Sequence, residues 1–203
     1  MCVVAEEAAG IEKLADKFGK VTVISGPGNH GRTTHKPRSK AYVNLNYETL
    51  IAYMLEREFK NDKRVTFITP QSGEAYFSIY NTRFLMTHGD RIGSRGGQGF
   101  IGPVATIARG VHKTRKQYAS IGKPVDYMLI GHFHEPMWIP FCCVNGNLAG
   151  FSEYARDLRV EPGPPSQELF FVNEDIGITA RWQILADKMG KATDDTKERL
   201  VTC

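Results

Sequence analysis

Four of the chain's six histidines stand where an apolar run gives way to a glycine-bearing loop. They are His30 in Gly28-Asn29-His30, His88 in Thr87-His88-Gly89, and His132 and His134 in Gly131-His132-Phe133-His134. Imidazole nitrogens and an amide oxygen such as that of Asn29 are ligands for divalent metals of the manganese, iron and zinc group. Ligands delivered by separate strand ends can meet in the crevice beside a sheet. In extended backbone, residues i and i+2 project the same way, roughly 6 to 7 Å apart. At that span His132 and His134 could address two ions about 3.5 to 4 Å apart. Singly, each histidine has a blander reading, as a polar strand end or a member of a hydrogen-bond network. Four at strand exits, each near a glycine, point to a common site. His35, in a basic loop, and His112, on an exposed helix face, read as solvated.

The stretch Ser25-Gly-Pro-Gly-Asn-His-Gly-Arg-Thr-Thr34 also matches two other loops. As a nucleoside triphosphate loop it has Gly26, Gly31 and Thr33 at the right spacing, but Arg32 stands where a lysine must reach the outer phosphates. The candidate partner strands end in His88 and His132, where that chemistry needs an aspartate for magnesium. As a dinucleotide fingerprint it needs a helix opening inside the glycines and an acidic residue ending the next strand about 20 residues on. Glu48 lies at that distance, but inside a predicted helix. The metal reading gains what these two lose.

The elements that must position these residues are legible in outline. Apolar spacing predicts a helix over Glu6 to Phe18, ended by Gly19, then a strand over Val21 to Ile24. A second helix is predicted from about Asn46 to Phe59 with Leu50, Ile51, Met54 and Leu55 inward. Alternation and β-branched content predict three strands between Arg64 and Thr87. A glycine-rich loop leads to a helix from about Pro103 to Ala119 whose outer face carries Arg109, His112, Lys113, Arg115 and Lys116, read as a solvated face. A strand over Val125 to Ile130 ends at the Gly131 motif. The apolar run Met137 to Val144 ends in Asn145-Gly-Asn-Leu148, strand geometry pointing its adjacent Cys142 and Cys143 to opposite faces, and segments 168–172 and 176–185 read as a closing hairpin. The chain divides into residues 1–187, one domain of α/β character, and a charged tail, residues 188–203, expected to fray.

With 41% hydrophobic residues, 203 positions can bury an ordinary core. A formal charge of +4 permits an anionic substrate without demanding nucleic acid. No apolar run is long enough to cross a bilayer and the first residues lack a signal-peptide pattern, so a cytoplasmic protein with no membrane partner is expected. Cys2, Cys142, Cys143 and Cys203 form no C-x-x-C pair, which argues against a zinc knuckle or a disulfide framework.

In order and spacing, G-N-H, T-H-G and G-H-x-H resemble the calcineurin-like metallophosphoesterases. Asn145-Gly-Asn-Leu148 and Ser152-Glu-Tyr-Ala155 are similar to segments of phage-type members, so the resemblance covers about residues 20 to 185. It implies a β-sandwich flanked by helices in four layers, and hydrolysis of a phosphoester substrate at two divalent ions, manganese, zinc or iron. Carried over, Asn29, His88 and His132 would hold one metal and His134 would contribute to the other. His30 would be the acid meeting the leaving group, and Arg32 would add positive charge for the phosphate.

Two departures accompany the resemblance. Gly31 stands where the family has Asp or Glu after G-N-H, and the family's leading D-x-H and G-D-x-x-D motifs do not occur before Gly28. The expectation is an N-terminally incomplete phosphoesterase, its missing motifs either lost or supplied in trans by an N-terminal piece. Three functions stay open: a phosphodiesterase or nuclease with Lys36, Arg38, Lys113 and Arg115 as nucleic-acid contacts; an inactive fragment or one half of a split enzyme; and a nucleic-acid-binding module without chemistry.

Overall fold

A computed structural model describes residues 2–36, 41–92, 104–150 and 163–186. Helix α1 (Cys2–Phe18) begins a turn earlier than its apolar spacing predicts and ends at Gly19, whose φ of 77° only glycine adopts freely. Strand β1 (Val21–Ile24) follows, then the Gly28 loop, a short 3-10 turn (Val43–Leu45) and helix α2 (Tyr47–Glu58). Asn46 caps α2: its Oδ1 accepts the backbone N–H of Glu48 at 2.8 Å. Strand β2 (Val65–Ile68) returns to pair in parallel with β1, Val21 opposite Val65. Leu55 and Ala52 are the buried apolar residues of α2, whereas Leu50 and Met54 are 53% and 48% exposed, against the inward face expected for them.

The main sheet has five strands in the order β3 (Glu74–Ile79), β4 (Thr82–Thr87), β5 (Tyr127–Ile130), β7 (Cys142–Val144), β6 (Met137–Ile139). The apolar run Met137 to Val144 is thus a tight hairpin broken at Pro140-Phe141, because proline cannot donate to a ladder. Strands β4, β5 and β7 are parallel; in chain order helix α3 (Val104–Ser120) lies between β4 and β5, and β6 lies between β5 and β7. Successive residues of a strand face opposite ways, and both faces are used. Leu85, Met128, Cys142, Ile130 and Val144 pack with Ile107 and Val111 of α3. On the other face Phe84 stacks on Tyr127 and on Phe170 of β8 (Ser166–Asn173), at centroid distances of 6.1 and 5.8 Å. Strand β9 (Gly177–Leu185) completes the antiparallel β8–β9 hairpin.

The chain is therefore a mixed α/β fold, its principal sheet lying between α3 and a β-hairpin. Cys142 and Cys143 point to opposite faces as expected, and both are buried because both faces are covered. Arg115 departs from the expected outer face of α3. Its Nε donates to the Val125 carbonyl at 2.9 Å and its guanidinium lies 3.8 Å from the centre of the Phe141 ring. The tail at 188–203, Arg38 and the Ser152-Glu-Tyr-Ala155 segment lie outside the described residues. No helix among the described residues is long and apolar enough to cross a membrane.

Candidate metal centre

Because β4, β5 and β7 run in parallel, their carboxyl ends deliver His88, Gly131-His132 and Asn145 to one edge of the sheet. The exits are stitched together: Gly131 N–H donates to the His88 carbonyl at 2.9 Å, and Asn145 N–H to that of Ile130 at 2.7 Å. The Gly28 loop meets them there. His88 Nε2, carrying a proton, donates to Asn29 Oδ1 at 2.6 Å, while His132 Nδ1 approaches the same nitrogen to 3.2 Å. One nitrogen with one proton cannot satisfy both neighbours, whereas a cation would accept a lone pair from all three. Two ligands each about 2.1 Å from one ion lie about 3.0 Å apart at a right angle and about 3.4 Å at the tetrahedral angle. The separation of the two nitrogens falls within that range, while the 2.6 Å between Asn29 Oδ1 and His88 Nε2 is shorter than it.

His30 and His134 form a second pair with ring centroids 6.2 Å apart. The arrangement differs from the extended H-x-H geometry expected from sequence. The Phe133 N–H donates to the Gly131 carbonyl at 2.7 Å, closing a γ-turn with His132 at its centre. His132 and His134 have φ values of 64° and 61°. Positive φ in a residue with a Cβ costs on the order of 1 to 3 kcal/mol and concentrates at functional sites. The turn sends His132 towards His88 and His134 towards His30, while Phe133 packs against the core. Asn147 holds the turn, its Nδ2 donating to the His134 carbonyl at 3.1 Å; its Oδ1 is buried with no hydrogen-bond partner among the described residues. Asn145 ties the edge to β8 by accepting the Glu168 N–H and donating to Gln167 Oε1.

Burial holds all three sheet-edge imidazoles below the ordinary histidine value. For His88 the neighbouring His132 adds to the effect and Asp90 opposes it; for His132 Asp90 opposes; for His134 the nearby His30 adds. Neutral imidazoles are the form that ligates metal. Among the described residues no three His, Cys, Asp or Glu side chains gather as a metal set by themselves; the converging donors are two imidazoles and one amide. A cavity of about 300 Å³ opens beside His88, lined by Met86, Leu129, Cys143 and Phe170 with Asn145 and Glu168.

Arg32, expected to face a phosphate, directs its Nε to the Thr34 carbonyl at 2.9 Å and a terminal nitrogen to that of His35 at 3.3 Å, bracing its own loop. Two acidic residues were not legible as part of the site. Asp90 directly follows the T-H-G motif and its charge reaches both His88 and His132. Glu48, noted in sequence only for its spacing from the glycines, sits against the loop and accepts the Gly28 and Gly31 N–H groups.

No family model matches the chain, and no curated protein matches its sequence. Among solved structures it is similar to a crystal structure of a single mutant of Vps29 from Entamoeba histolytica. The TM-score is 0.41 and the identity 13%, covering 82% of this chain and 99% of that one.

Proposed function

We propose that this chain is a metal-dependent phosphoester hydrolase, with Asn29, His88 and His132 holding one divalent ion of the manganese, zinc or iron group. The observation that carries the reading is the meeting of Asn29 Oδ1 and His132 Nδ1 at His88 Nε2. The G-N-H, T-H-G and G-H-x-H motifs, with their family resemblance, support it. All three donors are neutral, so a bound ion keeps its positive charge for a phosphate oxygen. His134 is assigned to a second ion and His30 to protonating the leaving oxygen, as the family resemblance implies; the two rings lie side by side, 6.2 Å between centroids. The substrate is a phosphodiester, nucleic acid included.

A second reading has the chain supplying only part of the centre, with another polypeptide contributing carboxylates. It is favoured by the neutral donor set. Two divalent ions about 4 Å apart repel by on the order of 17 kcal/mol at an effective dielectric near 20, so a pair needs anionic ligands to persist. One ion per chain and slow hydrolysis are therefore expected of the isolated protein. The test is manganese uptake followed by electron paramagnetic resonance, with turnover of bis(para-nitrophenyl) phosphate, for the chain and for His88→Ala and His132→Ala. Uptake of one ion that either substitution abolishes supports the reading. Absence of uptake, or uptake indifferent to both substitutions, overturns it.

A further inference from the structure

We infer that Glu48 is the positioning residue of this centre: its carboxylate bolts the Gly28–Gly31 loop to the start of α2, aims the Asn29 amide oxygen at His88, and places a negative charge behind neutral donors. The inference rests on the metal-site reading for its effect on affinity, and on the hydrogen bonds alone for its effect on the loop.

Every backbone N–H and carbonyl of the two flanking glycines is gripped by the α2 entrance, with Tyr42 adding a second bond to one of them. Glu48 Oε2 accepts the Gly28 N–H, and Glu48 Oε1 accepts the Gly31 N–H at 2.9 Å. The Gly28 carbonyl takes the Asn46 Nδ2 at 2.7 Å and the Tyr42 hydroxyl at 3.1 Å. The Gly31 carbonyl takes the Tyr47 N–H at 2.7 Å. Asn29 and His30 are the two residues left between these clamps. An acidic residue in a first helical turn ordinarily answers its own helix's free N–H groups and dipole. This one accepts instead from amides 17 and 20 positions earlier in the chain.

The fit is tight at both glycines, and at Gly31 it is closed by backbone as well as side chain. A Cβ on Gly28 would come within 2.9 Å of Glu48 Oε2 and 3.1 Å of the His88 ring. A Cβ on Gly31 would come within 2.5 Å of Asn46 Oδ1 and 2.7 Å of Glu48 Cγ. Two of the glycines that imitate a nucleotide loop, Gly28 and Gly31, are thus explained by the approach of Glu48 and Asn46. The charge of Glu48 also reaches His88. Outer-shell carboxylates that orient ligands are typically worth 10- to 100-fold in metal affinity.

The experiment compares manganese affinity in the full chain and in Glu48→Gln, each alone, with Asn29→Ala, and with His134→Ala. Glutamine keeps the shape and one acceptor but turns an NH2 group towards an amide N–H. About a tenfold loss of affinity is expected, shrinking to near nothing when Asn29 is already alanine and persisting when His134 is. Equal losses in both backgrounds would overturn the inference, as would affinity within about twofold of the parent. Amide hydrogen exchange, read without metal, tests the loop directly. In Glu48→Ala the Gly28 and Gly31 amides should lose protection while the Leu85 and Met128 amides keep theirs. Unchanged protection would sink the clamp. A parent chain that takes up no manganese would refute the metal-site reading, and the exchange result would then decide on Glu48 alone.

Discussion

His88 and His132, 44 positions apart in the chain, meet edge to face with ring centroids 5.0 Å apart and their facing nitrogens 3.2 Å apart. Parallel pairing of β4 and β5 accounts for the meeting: Thr87 lies opposite Ile130, so the residues just beyond each strand end emerge side by side. Two imidazoles this close, both partly buried, disfavour protonation of either.

A pH dependence follows for chelator-treated protein. His88, His132 and His134 have folded values lowered from the ordinary histidine value, so between the two values the unfolded chain binds more protons and stability rises with pH. As pH falls, the loss should begin near about 6.5, the unfolded value, and be complete once pH is below the lowered folded values. Urea midpoints measured from about pH 7.5 to 5 should show this fall, and His88→Gln should reduce its size. A midpoint that rises on acidification through that window would contradict the direction of these shifts.

Two glycines should respond oppositely to alanine. Gly31→Ala drives a Cβ into Asn46 Oδ1 and the Glu48 backbone, and should cost on the order of 1 to 3 kcal/mol as overpacking. Gly10 lies inside α1 with nothing near its missing Cβ. Gly10→Ala should therefore stabilise by about 1 kcal/mol through helix propensity. Thermal melts of the two variants check this; a stabilised Gly31→Ala would mean that the loop is not packed on α2 as described.

Thiol chemistry should report on the sheet. Burial pushes both Cys142 and Cys143 up to about 12, with Glu168 adding to the effect at Cys143. The thiolate is the reactive form, so neither should be alkylated by iodoacetamide at neutral pH until the chain unfolds. Peptide mapping of native and urea-treated protein distinguishes the outcomes. Rapid native modification of either residue would show that one sheet face is open.

Local signals carried most of the elements. The strand exits at His88 and Gly131, the turn at Gly19 and the antiparallel hairpin after residue 165 follow from apolar periodicity and turn residues, which are properties of short windows. The buried side of α2 did not follow, because amphipathic spacing names a face without naming what covers it, and Leu50 and Met54 lie exposed while Thr49 is buried. The run Met137 to Val144 shows in sequence only as apolar, since its division into two strands at Pro140-Phe141 depends on β7 finding a partner in β5.

At the site, the sequence by itself determined which chemical groups exist and that they stand at strand exits: Asn29, His30, His88, His132 and His134. Only the tertiary structure decided how they pair. The γ-turn at His132 replaces the extended H-x-H geometry, so one imidazole joins His88 and the other joins His30. Only the tertiary structure showed why Gly28 and Gly31 are glycines, since the atoms that crowd them belong to Asn46 and Glu48, up to 20 positions away in sequence. The physical reason is the same in each case. Residue type and period act over a few neighbours, whereas steric exclusion and hydrogen-bond satisfaction depend on groups that only the folded chain brings into contact.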